Sequence, residues 1–196
     1  MNKRVGITMS KKTTIRDIAG FCPEEAIWKM IFDISGLLFQ EDTVSVLTPD
    51  SVVIDGQMFI VEDNHDSVSE FMAPEHKVGH KPNAQEQVWT LGAIAYYVAT
   101  GHIVFGGYGG RYQKEHPLVA LPVLPKGFQS LTVVLQQCLC YNPDERIEIR
   151  RLNELSQKGL LNCEQLQRQI SFLEENEIKF NKKQYGEKWP EKMIEL

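Results

Sequence analysis

The sequence predicts a mainly α-helical fold with one small β-hairpin, and three patterns carry that prediction. A segment at residues 22–40 repeats apolar side chains at helical spacing, and a segment at 86–100 is apolar nearly all round. Two short apolar runs lie on either side of an Asp-Gly pair at residues 55–56. Helices with apolar faces and one short sheet pack into a mainly α domain around a shared core.

The first helix is predicted in the stretch CPEEAIWKMIFDISGLLFQ. Pro23 stands where the first turn tolerates proline, and Glu24 and Glu25 follow it, where the helix dipole favours anions. The apolar stripe has the spacing i, i+3, i+4, i+7 and i+11, with the members Ile27, Met30, Ile31, Ile34 and Leu38.

The hairpin is predicted in SVVIDGQMFIVE, with Asp55 and Gly56 as its two-residue loop. An Asp-Gly loop supplies the positive φ angles of a type I′ turn. Residues 63–84 follow with little periodicity. A loop of that length inside a compact domain is uncommon and is often functional.

The later elements alternate helices with loops. The apolar helix over 86–100 stops at Gly101, and residues 102–127 are predicted to be a long loop rich in glycine and proline. A further helix is expected in FQSLTVVLQQCLCY, with Leu131, Leu135, Cys138 and Leu139 on one side. Another is expected in RIEIRRLNELSQKG and ends at Gly159. The last is expected in CEQLQRQISFLEEN, with Asn162 and Gln165 as its capping box. We expect a lead-in at 1–12, a domain at 13–160, and a C-terminal helix with a lysine-rich tail at 161–196.

Composition excludes several classes of protein. The 196 residues suit a domain with a sizeable core, and the net charge of −5 argues against a nucleic acid or an anionic membrane as the main partner. No apolar run approaches the ~20 residues of a transmembrane helix. The four cysteines form no zinc-ligand pattern, so we expect reduced, small apolar side chains, a cytoplasmic location and no cofactor.

Three short sequence motifs occur in the order found in the large lobe of protein kinases. FMAPEH carries Ala73-Pro74-Glu75, QVWTLGAIAYYVATG follows it, and CLCYNPDERI comes later. They resemble the end of the activation segment, the central helix, and a late Pro-x-x-Arg element. The resemblance implies a buried pair between Glu75 and Arg146, and a structural Trp89 in the central helix.

The sequence lacks the catalytic groups of kinases at the positions that these motifs indicate. Kinase chemistry needs a Gly-rich loop, a strand lysine, a catalytic aspartate, and an asparagine and an aspartate that hold magnesium. The catalytic aspartate aligns with Val46, the asparagine with Ser51, and the magnesium aspartate falls at 62–64, where Asp63 is near the position. Gln87 replaces an anchoring aspartate, and no Gly-rich loop or lysine strand precedes them. We expect no enzyme activity and no small (N-) lobe.

A kinase large lobe without a small lobe resembles the KIND domain, the kinase non-catalytic C-lobe family. The opening TTIRDIAGFCPEEAIWKM looks like the start of that family, with Trp28 in place. The resemblance implies a pseudokinase fold that acts as a protein-interaction scaffold, binding another protein or a basic peptide segment. The alternatives are an independently truncated pseudokinase, a nucleotide- or small-ligand-binding pseudokinase, and a subunit of a larger signalling assembly.

Candidate partner-binding residues fall in three places. Acids in the first long loop offer an acidic surface to a basic peptide, the alternatives being a solvated loop and a metal site, although the acids lack the alternation of an EF-hand loop. The stretch FGGYGGRYQ carries residue types that are enriched at interfaces. Its glycines follow a helix, not a strand, and the stretch lacks the Gly-Lys-Ser/Thr of a phosphate-binding loop, so the glycines favour a flexible loop over phosphate binding. Trp189 in the tail either docks on this domain or offers a contact to a partner. The acids are Glu62, Asp63, Asp66 and Glu70, and the second set is Phe105, Tyr108, Arg111 and Tyr112.

Overall fold

The computed structural model describes residues 12–40, 46–62 and 69–185, and over these ranges the fold is mainly α-helical with a two-stranded antiparallel sheet. This confirms the predicted fold class. The elements are α1 (Ile15–Ile18), α2 (Glu24–Gln40), β1 (Val52–Asp55), β2 (Met58–Val61), α3 (Ala84–Thr100), α4 (Gly109–Glu115), α5 (Gln129–Cys138) and α6 (Ile149–Tyr185), with 3₁₀ turns at Ser69–Phe71, Phe105–Gly107 and Pro143–Glu145. The chain divides into two compact units, 1–159 and 160–196.

Helix α3 is the buried centre of the first unit. Its first turn is closed by a capping box, in which Asn83 Oδ1 accepts from the Glu86 amide and Glu86 Oε2 accepts from the Asn83 amide, both at 2.9 Å. Its C-terminus is capped by Gly101, which adopts a left-handed conformation with φ 74°. Because α3 is buried on nearly every side, its apolar residues alone give no helical stripe.

Helix α2 packs its predicted stripe into the same core. Ile27, Met30, Ile31 and Ile34 are buried, whereas Leu38 is half-buried near the C-terminal end. Trp28 is buried too, and its indole N–H donates to Glu24 Oε1 at 3.2 Å.

The hairpin joins the core through α2. Asp33 Oδ2 of α2 accepts a hydrogen bond from the Phe59 amide at 2.9 Å. The register pairs Asp55 with Met58, so the two loop residues are Gly56 and Gln57, one position later than the sequence predicted. Gly56 takes φ 60° as the first loop residue, which is the position where a type II′ turn requires glycine.

The prediction of a continuous loop over residues 102–127 was wrong, because this stretch contains helix α4. Its glycines are packing residues as well as turn residues. A Cβ on Gly110 would lie 2.1 Å from the Met72 carbonyl oxygen, so only glycine allows this close approach of two backbones.

The predicted helix end at Gly159 was also wrong, since α6 continues through it from Ile149 to Tyr185. A Cβ on Gly159 would lie 2.4 Å from Cδ2 of Trp28, so this glycine makes room for the indole ring. Asn162 and Gln165 therefore lie inside a helix and do not cap one. In the part of the chain that the structure describes, no helix combines the length and apolar character that crossing a bilayer requires.

Candidate functional site

A guanidinium cluster joins the Ala73-Pro74-Glu75 motif to the later Pro-x-x-Arg motif. Both Nη atoms of Arg146 donate to the carboxylate of Glu75, with Nη2 at 2.8 Å from Oε2. The Arg146 Nε donates to the carbonyl of Cys140 at 2.7 Å. The carbonyls of Gln85, at 3.1 Å, and Tyr141, at 3.0 Å, accept from the Nη atoms. The structure thus places Glu75 and Arg146 together in a hydrogen-bonded cluster, in which the Arg146 side chain is fully buried and the Glu75 side chain is 27% exposed. We name it the Arg146 cluster.

A second polar chain fixes α4 against the core. The buried Trp89 indole N–H donates to Gln113 Oε1 at 2.8 Å, and Gln113 Nε2 donates to the Leu139 carbonyl at 2.7 Å. All polar atoms of the Gln113 side chain are therefore engaged, although only 1% of the residue is exposed. Trp89 was predicted to be a structural residue, whereas its hydrogen-bond partner Gln113 was not predicted.

The residues at the catalytic-loop positions form a small closed turn. The Ser51 hydroxyl oxygen accepts from the Thr48 amide at 2.8 Å, and the Thr48 hydroxyl accepts from the Ser51 amide at 3.0 Å. Ser51 is fully buried, and Val46 just before the turn is half-buried. Neither side chain carries a carboxylate or an amide, and the Ser51 hydroxyl is occupied by the turn.

The predicted acidic residues do not all fall within the described ranges. Asp63 and Asp66 lie outside them, as does Trp189. Glu62 forms an exposed ion pair with Lys12, and the hydrogen bond in that pair raises the pKa of the Lys12 ammonium. Glu70 is half-buried in the 3₁₀ turn Ser69–Phe71.

Three rings on α4 and its flanks stack into a ladder on the surface. Tyr108 and Tyr112 stack with ring centroids 6.3 Å apart, and Tyr112 and His116 stack at 4.2 Å. Pro117, Leu118 and Val119 continue the surface beside Tyr112 and His116 around an open concavity of about 390 Å³. We call the surface made by Tyr108, Tyr112, His116, Leu118 and Val119 the aromatic face.

The aromatic face is both exposed and firmly supported. Tyr108 is 65% exposed and Leu118 is 99% exposed. At the first residue of α4, Gly109 lies so close to the 3₁₀ turn that a Cβ would be 1.8 Å from the Glu70 carbonyl oxygen. Two segments that the sequence analysis treated separately, those around Glu70 and Tyr108, are therefore neighbours.

Phe105 precedes the aromatic face in a strained conformation. Its φ of 53° is the one positive value among the non-glycine residues that the structure describes. A bulky side chain in the left-handed region costs about 1–3 kcal/mol and persists where the surroundings over-determine it. Such strain concentrates at ligand-binding and switch segments, which adds weight to this surface as the candidate site.

Part of this surface was missed at the sequence level. Tyr108 and Tyr112 were predicted as partner-binding residues, whereas His116 and the apolar residues after it were not. The spacing of Tyr108, Tyr112 and His116 at i, i+4 and i+8 is the signal that could have predicted both the helix and the ladder.

The cysteines and other metal-ligating residues offer no second site within the described ranges. No group of three or more His, Cys, Asp or Glu residues there is arranged to hold a metal ion. Burial raises the pKa of the Cys138 thiol. The side chain packs in the core against Gly92, where an added Cβ would lie 2.6 Å from the Cβ of Cys138. Cys138 therefore behaves as a small apolar side chain.

Comparison with known proteins finds similarity to protein kinases. The chain is 31% identical over 107 residues to the dual specificity protein kinase Ttk of Danio rerio, covering 47% of this chain and 11% of the kinase. It is 26% identical over 163 residues to the dual specificity protein kinase TTK of Mus musculus, covering 65% of this chain and 19% of the kinase. The chain thus spans between a tenth and a fifth of the length of these relatives. No protein-family profile matches it.

These similarities support a protein-kinase-like relationship, and the mainly α architecture with its hairpin is compatible with a kinase-like C-lobe. The narrower assignment to the KIND family stays a prediction. The loss of catalysis and the scaffold role also stay predictions.

Proposed function

We propose that this chain is a catalytically inactive, kinase-like module of the KIND type that binds a segment of another protein. The observation that carries the proposal is the aromatic face, a stacked and exposed ladder held on a helix with a fully satisfied buried side. Rigid aromatic surfaces lose little side-chain entropy on binding, and interfaces are enriched in aromatic residues.

The absence of catalysis is inferred from the groups that occupy the catalytic-loop positions. Phosphoryl transfer depends on charged groups and bound magnesium around the transferred phosphoryl group. A valine at position 46 and a turn-forming serine at position 51 supply neither a base nor a magnesium ligand. The packing residues of the kinase fold, Glu75 and Arg146, are kept.

The proposed partner is a short segment with an apolar or proline-containing centre. That centre would lie against Tyr112, His116 and Val119, where the lining is largely apolar. Basic residues of the segment would lie towards Glu70, whose backbone adjoins the first residue of α4, by electrostatic complementarity. On α4 itself, Arg111 and Glu115 form an exposed ion pair, which adds no net charge to the face.

The binding half of the proposal is tested with a displayed library of short peptides. Peptides selected on the wild-type chain are re-measured on Tyr112→Ala and on the matched control Tyr141→Ala, which removes an exposed tyrosine elsewhere in the domain. We expect Tyr112→Ala to lose binding by tenfold or more, and Tyr141→Ala to keep it. Peptides that bind both variants alike would contradict the proposed site.

The inactivity half is tested separately by a thermal-shift titration with ATP, with and without magnesium. A ligand that binds only the folded state raises the melting temperature by mass action. We expect no shift at millimolar ATP and no phosphate transfer to a generic protein substrate. A saturable, magnesium-dependent shift would contradict this half and leave the peptide result unaffected.

A further inference from the structure

The part of α6 in the second unit carries an apolar stripe with a heptad spacing, of which three members are exposed and Cys163 is half-buried. Cys163, Leu166, Ile170 and Leu173 follow one another at intervals of three, four and three residues. Leu166 is 58% exposed, Ile170 40% and Leu173 65%. This alternation of three and four is the pattern of a and d positions in a coiled coil. We call these four residues the heptad seam.

The polar residues around the seam support the same assignment. Glu164 and Arg168 pair at 3.5 Å and occupy the b and f positions, which lie on the outer side of a coiled coil. An exposed helix of this kind is marginal in water unless its apolar face is packed. The seam therefore needs a covering surface, and the spacing indicates that this surface is another helix.

The side-chain types identify the covering helix. Cys163 and Ile170 take the a positions, and Leu166 and Leu173 take the d positions. A β-branched residue at a with leucine at d favours two parallel strands. We propose that the heptad seam pairs in parallel and in register with the seam of a second copy of this chain. The proposal is independent of the kinase-like module and its partner.

The flanking charges permit this self-pairing. In a parallel dimer, a residue at g faces the residue at e of the next heptad on the second helix. Gln169 then faces Glu174 of the second copy, and Asn162 faces Gln167. No two like charges meet at these e and g positions, and each amide can hydrogen bond with the group that faces it. A set of e and g residues that all carried the same charge would instead have indicated a different, oppositely charged partner.

Glu177 occupies the a position that follows Leu173 and sets the C-terminal limit of the seam. Two copies of this carboxylate would face each other, which is unfavourable. The dimer is therefore short, and we expect it to exchange with monomer as the protein is diluted.

The seam is tested by light scattering and sedimentation of the full chain over a range of concentrations, using adjacent residues as a matched pair. Leu173 and Phe172 are both 65% exposed, but only Leu173 lies in the seam. We expect wild type and Phe172→Asp to dimerise alike and Leu173→Asp to remain monomeric. A wild type that stays monomeric at every concentration, or equal loss in both variants, would overturn the proposal.

Two further measurements check the register and the orientation. Glu177→Leu should tighten the dimer by about tenfold by removing the facing carboxylates, whereas Glu175→Leu, at an outer position, should not change it. Diamide, an oxidant that accepts two electrons and two protons from a pair of thiols, should link the two Cys163 side chains in a disulfide. Cys163→Ser should abolish the link. A dimer that never cross-links through Cys163 would overturn the parallel, in-register arrangement.

Discussion

The Arg146 cluster and the aromatic face lie in the same compact unit but use polar and aromatic groups in opposite ways. The cluster buries the Arg146 side chain completely and gives its guanidinium five hydrogen bonds. The aromatic face leaves Tyr108 and His116 exposed and Tyr112 half-buried, and the helix that carries it is packed against the core through its glycines and Gln113. We expect the first arrangement to stabilise the folded state strongly and the second to contribute little to folding. The two regions should therefore separate stability from binding.

The largest expected effect comes from breaking the cluster. Arg146→Ala leaves the Glu75 carboxylate and several carbonyls without a donor, so unfolding free energy should fall by about 3–5 kcal/mol. Because the Glu75 side chain is 27% exposed and can reach water, we expect a value near the lower end. Urea unfolding measures it, with the exposed Arg150→Ala as control. A loss below about 1 kcal/mol would mean that the cluster does not hold the fold.

The next effect tests the connection between the core and the aromatic face. Gln113→Ala strands the Trp89 indole N–H and the Leu139 carbonyl, and unsatisfied buried groups cost about 1–3 kcal/mol each. We expect a loss of about 2–4 kcal/mol in urea unfolding, against none for the exposed neighbour Lys114→Ala. Selected peptides should also bind less well, since α4 loses its support. Unchanged stability would show that the hydrogen-bond chain is dispensable.

Gly110 gives a smaller effect at the boundary between the two regions. Gly110→Ala forces a methyl group against the Met72 carbonyl, and overpacking costs about 1–3 kcal/mol. Gly36→Ala in α2 is the matched control, since the nearest atom to its added Cβ would be Asn153 Nδ2 at 3.5 Å, an ordinary contact. We expect thermal unfolding to show destabilisation for Gly110→Ala alone. Equal behaviour of the two variants would imply that α4 can move away from the 3₁₀ turn.

The smallest effect on stability is expected on the aromatic face itself. Tyr112 is half-buried and stacks on two rings, so Tyr112→Ala should lower the unfolding free energy by about 1 kcal/mol, the size of such ring contacts. The same variant should lose peptide binding. If it unfolds as readily as Arg146→Ala, the aromatic face is part of the core and the distinction between the two regions fails.

Local features of the molecule could be predicted from the sequence, whereas contacts between distant segments could not. Helices α2 and α3 were predictable because stripes, capping residues and a stop glycine are local signals. The Glu75 and Arg146 pair came from resemblance alone, since nothing local connects residues so far apart. The exposed ladder of α4 was half-predicted: its residue types were noticed, but its glycines were interpreted as flexible.

The errors at Gly110 and Gly159 share a physical cause. A glycine in sequence indicates either freedom of the backbone or a lack of space, and the two look identical in one dimension. At Gly159 the space is taken by Trp28, more than a hundred residues earlier in the chain. Only the tertiary structure can distinguish a helix that ends from a helix that another side chain presses against.

The Arg146 cluster has a consequence for the kinetics of folding. Glu75 and Arg146 are separated by 71 residues, and the chain must close that loop before the pair stabilises anything. Contacts that form after the transition state slow unfolding without accelerating folding. We therefore expect stopped-flow measurements on Arg146→Ala to show a faster unfolding rate and a nearly unchanged folding rate. The ion pair would then form after the folding transition state and would determine the lifetime of the native state.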